Sequence, residues 1–116
     1  MRALLNPIAA AAALSVAIPG SPALAGGQSG TVSKLEIVKS ANYVVVNLTG
    51  SHVSPPACAT QPGRWALKTS DGNALNDKIY SLFLTAQATG RTVAIGGTGT
   101  CTAVSSIEDI DAANIN

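Results

Sequence analysis

Leu75-Asn76-Asp77-Lys78-Ile79-Tyr80-Ser81-Leu82-Phe83-Leu84-Thr85-Ala86-Gln87-Ala88-Thr89-Gly90-Arg91-Thr92-Val93-Ala94-Ile95 is the stretch whose reading decides the fold. Leu75, Ile79, Leu82, Phe83 and Ala86 recur at i, i+4, i+7, i+8 and i+11, which lays one continuous apolar stripe along a helix. The spacing predicts a helix over Asn73–Thr89. Asn73 or Asn76 supplies a side-chain oxygen for its first free amides. Gly90 stands where a left-handed residue ends a helix. Tyr80, Leu84 and Ala88 fall on a second side, so more than one face is expected to be covered. The four residues Thr92–Ile95 are mostly β-branched and read as a strand entered directly from the helix.

Upstream, Arg64-Trp65-Ala66-Leu67-Lys68 reads as a strand with Trp65 and Leu67 on one face, and Asp71-Gly72 marks the turn into the helix. Thr49 to Gly63 holds Pro55, Pro56 and Pro62, which lack the amide a ladder needs, so it is loop. Tyr43–Leu48 is apolar and β-branched, and Thr31–Val38 alternates Leu35 and Ile37 with Lys34 and Glu36. The two make a hairpin across the short turn Ser40-Ala41-Asn42. Downstream, Gly96–Cys101 is a glycine-rich connection and Thr102–Ile107 reads as a fifth strand. Glu108–Asn116 reads as a polar, fraying tail.

Three strands, a helix and two strands is the order of the OB-fold, a five-stranded Greek-key barrel. The expected class is therefore mainly β with one helix, an OB-like barrel with the helix between strands 3 and 4. Closing the sheet hides edges that would otherwise pair with other chains. An open antiparallel sheet with the helix packed across it is the alternative.

The first 25 residues carry the three parts of a cleavable export signal: Met1-Arg2, an apolar run from Ala3 to Ile18, and Ala23-Leu24-Ala25 before Gly26. The apolar run is shorter than the roughly 20 residues a bilayer needs, so stable membrane insertion is not expected. Residues 26–30, Gly-Gly-Gln-Ser-Gly, read as a flexible leader, and 31–116 as one OB-like domain. The chain has seven Lys and Arg against six Asp and Glu, and Arg2 lies in the signal, so the exported part is neutral. A neutral exported domain has no field to draw nucleic acid. Two cysteines in an oxidising compartment point to a Cys58–Cys101 disulfide. It closes a loop of about 43 residues, for which chain entropy gives roughly 4 kcal/mol.

Pro56-Ala57-Cys58, Arg64-Trp65-Ala66-Leu67, Ile79-Tyr80-Ser81-Leu82 through Thr92-Val93, and Gly99-Thr100-Cys101 together resemble small secreted bacterial proteins of uncharacterised function. More distantly they are similar to the B subunits of subtilase cytotoxin and pertussis-like toxins. That resemblance covers roughly Thr31 to Ile110 and implies an OB-like barrel with the helix running into a Gly-x-x-Val strand. For the toxin subunits it implies a pentamer that binds sialylated glycans. None of their sugar-contacting residues maps onto a position here, so no glycan site follows from it.

No catalytic constellation stands out. Gly96-Gly97-Thr98-Gly99-Thr100 lacks the Gly-Lys-Ser/Thr ending of a phosphate loop and precedes no helix. His52, the single histidine, reads as an exposed loop residue. Glu108, Asp109 and Asp111 read as a solvated strand end rather than a cation site. Asn47-Leu48-Thr49 matches a glycosylation acceptor but lies in a strand. Tyr43 and Trp65 are first of all candidate core residues. Facing outward together, with Arg64 beside them, they would form a stacking surface of the kind OB barrels use. These readings favour an exported, non-enzymatic binding or assembly module without cofactor or metal. Its partner is expected to be a glycan or a protein, and an oligomer is compatible. The alternative is a periplasmic structural or stress-related protein without a small-molecule ligand.

Overall fold

The computed structural model describes residues 25–116; the export-signal reading of 1–24 lies outside the described residues. Five strands and one long helix follow in the order β1 Gly27–Val38, β2 Tyr43–Leu48, β3 Arg64–Lys68, α1 Leu75–Thr89, β4 Thr92–Gly97 and β5 Glu108–Ile115. The pairings run β1-β2-β3-β5-β4 and return to β1, so the sheet closes on itself. Every pair is antiparallel except β3 with β5, where Trp65 pairs Glu108 and Ala66 pairs Asp109.

β1 is long because it serves two neighbours. Its first half pairs with β4, Gly27 to Gly96 through Thr31 to Thr92. Its second half pairs with β2, Lys34 to Asn47 through Val38 to Tyr43. The register shifts between Val32 and Lys34, the local bend that lets one strand turn from one partner to the other. β1 thus begins inside the segment expected to be a flexible leader. The glycines there answer to space rather than mobility: a Cβ on Gly30 would lie 2.0 Å from the Thr49 carbonyl oxygen.

The last strand is also displaced from its expected place. Thr102–Ile107 is loop, with only an isolated bridge from Val104 to Ile107, and the acidic tail is β5. Charge made that tail read as solvated, yet both Glu108 and Asp109 are buried. Only Asp111 of the three acids is exposed.

Alternation sorts the sheet into two faces. Val44, Val46, Leu48, Trp65, Leu67, Val93, Ile95 and Ile110 point inward and meet Phe83 and Ala86 from α1. Val45 and Ala66 point outward under Ile107, with Tyr43, Ala103 and Val104 packed around them. In the helix stripe Phe83 and Ala86 are buried and Ile79 and Leu82 half-buried, while Leu75 at its start is exposed; on the second face Tyr80 is half-buried and Leu84 exposed, so that face is only partly covered. The Leu75 amide donates to Asn73 Oδ1 at 2.9 Å, and Gly90 ends the helix in the left-handed region with φ 69°.

Cys58 and Cys101 are bonded, with Cα atoms 6.1 Å apart. The bridge ties the proline-rich loop to the 98–107 loop, which lies over the outer face of β2 and β3. Removing it with Cys58→Ala should cost about 2–5 kcal/mol, read as a lower denaturant midpoint. A midpoint equal to that of the oxidised protein would show that the loop holds its place without the bridge.

Candidate functional site

β5 enters the sheet with two adjacent acids whose side chains point to opposite sides, and each builds its own polar cluster. Glu108 faces inward with Trp65, its partner across the parallel pair. Its Oε2 accepts the Gly26 and Gly99 amides, both at 2.9 Å, and its Oε1 lies 3.0 Å from His52 Nε2. The two amides donate to Oε2, and the imidazole donates to Oε1 in the tautomer that carries its proton on Nε2. The imidazole stacks on the indole with ring centres 4.3 Å apart. Trp65 Nε1 donates to Gln28 Oε1 at 2.9 Å, and Gln28 Nε2 donates in turn to the Thr49 carbonyl at 3.1 Å. Buried polar groups of this kind hold geometry when satisfied and are costly when they lose a partner.

His52 therefore is not an exposed loop histidine. Its loop folds over the rim of the sheet, where Val53 and Gly27 exchange backbone hydrogen bonds of 2.7 and 3.0 Å. Both side chains of the His52–Glu108 pair are fully buried. Nothing local in the sequence joins them, because 56 residues separate the two. The pair has the composition of an acid–base dyad but no surface on which to meet a substrate.

Asp109 turns outward. Its Oδ2 accepts the Thr102 amide at 2.8 Å and the hydroxyls of Thr100 and Thr102 at 3.1 and 2.7 Å; its Oδ1 accepts the Ala103 amide at 3.1 Å. This carboxylate shapes the loop that carries Cys101. Beside it opens a polar cleft of about 200 Å³ at the rim, lined by Lys68, Asp71, Asn76, Thr98, Thr100 and Thr102 among others. Asp71 Oδ1 accepts the Asn73 amide at 3.0 Å and Asn76 Nδ2 at 2.7 Å. The backbone of Asn73 first, then the Asn76 side chain, hold its carboxyl below the usual carboxylate range. The cleft thus offers a fixed anion, an ammonium and hydroxyls within one small space. Among the described residues no three His, Cys, Asp or Glu side chains gather as a metal-binding set.

The three residues proposed from sequence as a stacking surface do not come together. Trp65 is wholly inside, and Tyr43 lies on the outer face, packed with the Val45 and Ile107 cluster. The register explains the separation. Trp65 pairs Val46, three residues from Tyr43, an odd number, and so falls on the opposite side of the sheet. Arg64 pairs with Glu36 at 3.0 Å and reaches Asn47 on the neighbouring strand. Sequence reasoning passed over Gln28, Asp71 and Asn76. Asp71-Gly72 with Asn73 is a turn signature, and the same side chains that make the turn also line the cleft. Comparison of the chain with protein-family models, with curated proteins and with solved structures finds no match.

Proposed function

We propose that this chain is an exported, non-enzymatic binding module built as an OB-like Greek-key barrel, and that its rim cleft takes a small polyhydroxylated ligand of the glycan type. The fold half of the proposal is supported by the strand circuit 1-2-3-5-4, the parallel β3–β5 pair and the helix placed between β3 and β4. It is also in keeping with the resemblance to toxin B subunits.

One observation carries the ligand half: charged, amide and hydroxyl side chains converge on the open cleft beside Asp71, while the His–Glu pair is sealed inside. Sugars are recognised by carboxylate, amide and hydroxyl groups held in place before binding, and Asp71 is held by two donors. Export is supported by the disulfide together with the leader reading. No helix among the described residues is long and apolar enough to cross a membrane.

A glycan array followed by calorimetry on the retained sugars tests this. Asp71→Ala should weaken binding about tenfold or more, the loss of one charged hydrogen bond, with the melting temperature nearly unchanged. Because the Asp71 carboxyl titrates below its ordinary range, binding should stay constant as pH falls through that range and weaken only below it. An array that retains no glycan, or an Asp71→Ala variant that binds as the parent does, contradicts the proposal. Light scattering on the same sample reads the assembly: a ring of subunits supports the toxin-like form of the proposal, and a monomer counts against that form.

A further inference from the structure

The sequence places the expected cut between Ala25 and Gly26, and the nitrogen that this cut would free is the one resting on the buried Glu108 carboxylate. We propose that Glu108 is the receptor for the Gly26 α-ammonium group, so that the cut chain folds with an ion pair that the uncut chain lacks. The inference rests on the leader reading and is independent of the ligand at the rim cleft.

Three observations support it. Glu108 is wholly buried, and the only ion pair among the described residues that touches it is to His52. His52 Nδ1 is buried with no hydrogen-bond partner among the described residues. With its proton on Nε2 the ring donates to Oε1 and brings no charge. A buried carboxylate held only by neutral donors lacks the counter-ion that normally makes its burial tolerable.

The second observation is the seat itself. Gly26 is buried while Ala25, on the other side of the expected cut, is exposed. The Gly26 carbonyl accepts the Gly97 amide at 2.9 Å, which fixes the terminus on β4.

The third is fit. A Cβ at position 26 would lie 2.5 Å from Glu108 Oε1, 2.8 Å from His52 Nε2 and 3.0 Å from the Val53 carbonyl oxygen, so any larger residue would have to displace the pair to seat its nitrogen there.

The chemistry is hydrolysis by an export peptidase. Water adds across the Ala25–Gly26 amide, Ala25 leaves as a carboxylate, and the Gly26 nitrogen takes up protons to become an ammonium. A neutral donor becomes a cation at the atom already facing Oε2. Because Gly26 is buried in the folded domain, the cut must precede folding. The uncut chain then carries a fold that lacks this charge.

The exported mature protein provides the test. Its intact mass should begin at Gly26. An amine-acylating reagent should modify the surface lysines while the α-amine reacts about 100-fold more slowly than in the denatured, reduced chain. Retaining Ala25 as an extra first residue moves the charge into solvent. It should lower the melting temperature by about 8 °C or more. In a Glu108→Gln background the same extension should change the melting temperature by no more than about 2 °C. If Glu108→Gln does not fold, the acylation rate and the extension in the parent decide. A different cleavage bond, an α-amine acylated at the denatured rate, or an extension without effect overturns the proposal. None of these readouts involves glycan binding, so its outcome leaves the rim-cleft proposal to its own test.

Discussion

Trp65→Ala is expected to lower stability by about 4–8 kcal/mol. Truncating a buried Trp costs about 3–5 kcal/mol through lost transfer energy and the cavity left behind. Trp65 is wholly buried at the centre of the inner core. Here the change also removes the donor to Gln28 Oε1 and the face on which His52 stacks. A buried acceptor that loses its donor adds about 1–3 kcal/mol. Small domains have about 5–15 kcal/mol in total, so the variant should be near its limit at room temperature. Trp65→Phe keeps most of the volume but loses the second ring with its N–H, and should cost about 1–2 kcal/mol. Denaturant unfolding of the three proteins reads both numbers. A Trp65→Ala midpoint close to that of the parent would mean that the indole lies outside the core.

Gly97→Ala should cost more than 3 kcal/mol or yield no folded protein, whereas Gly96→Ala should fall within about 0.5 kcal/mol of the parent. The two glycines are neighbours on β4 and face different surroundings. A Cβ on Gly97 would lie 2.0 Å from Glu108 Oε2, 2.3 Å from its Cδ and 2.8 Å from Trp65 Cζ3. Neither group can yield. The carboxylate is held by two amides and His52, and the indole fills the core. A Cβ on Gly96 meets nothing within 4 Å. Equal melting temperatures for the two variants would show that β5 does not carry Glu108 into the sheet beside β4.

The elements with a strong periodic pattern were legible from the chain. The helix stripe, the β2 and β3 runs and the cysteine pair all stand where their local patterns put them. What was not legible lies where local chemistry points one way and distant partners another. Gly26–Gly30 has the composition of a loose leader, yet its small residues are what let β1 pass close to Thr49 and Glu108. Glu108-Asp109 has the charge of a solvated tail, yet each carboxylate finds its donors inside, several of them from a loop that the disulfide positions. His52 carries no nearby signal at all, and only the closed sheet brings it to Glu108. The candidate cleft follows the same rule. Its Asp71 turn is visible in sequence, but its threonines come from across the rim of the closed sheet.

The sheet closes through two segments, Gly27–Thr31 and Ile110–Ile115, paired on either side of β4. Amide hydrogen exchange on the mature protein, resolved by residue, reads this directly. Slow exchange is expected at the paired amides of both segments, at rates close to those of β2, with fast exchange across the threonine-rich 98–106 loop wherever its amides lack partners. Exchange of both segments at the rate of an unfolded chain, with β2 and β3 still protected, would contradict the closed sheet and with it the seat of Glu108.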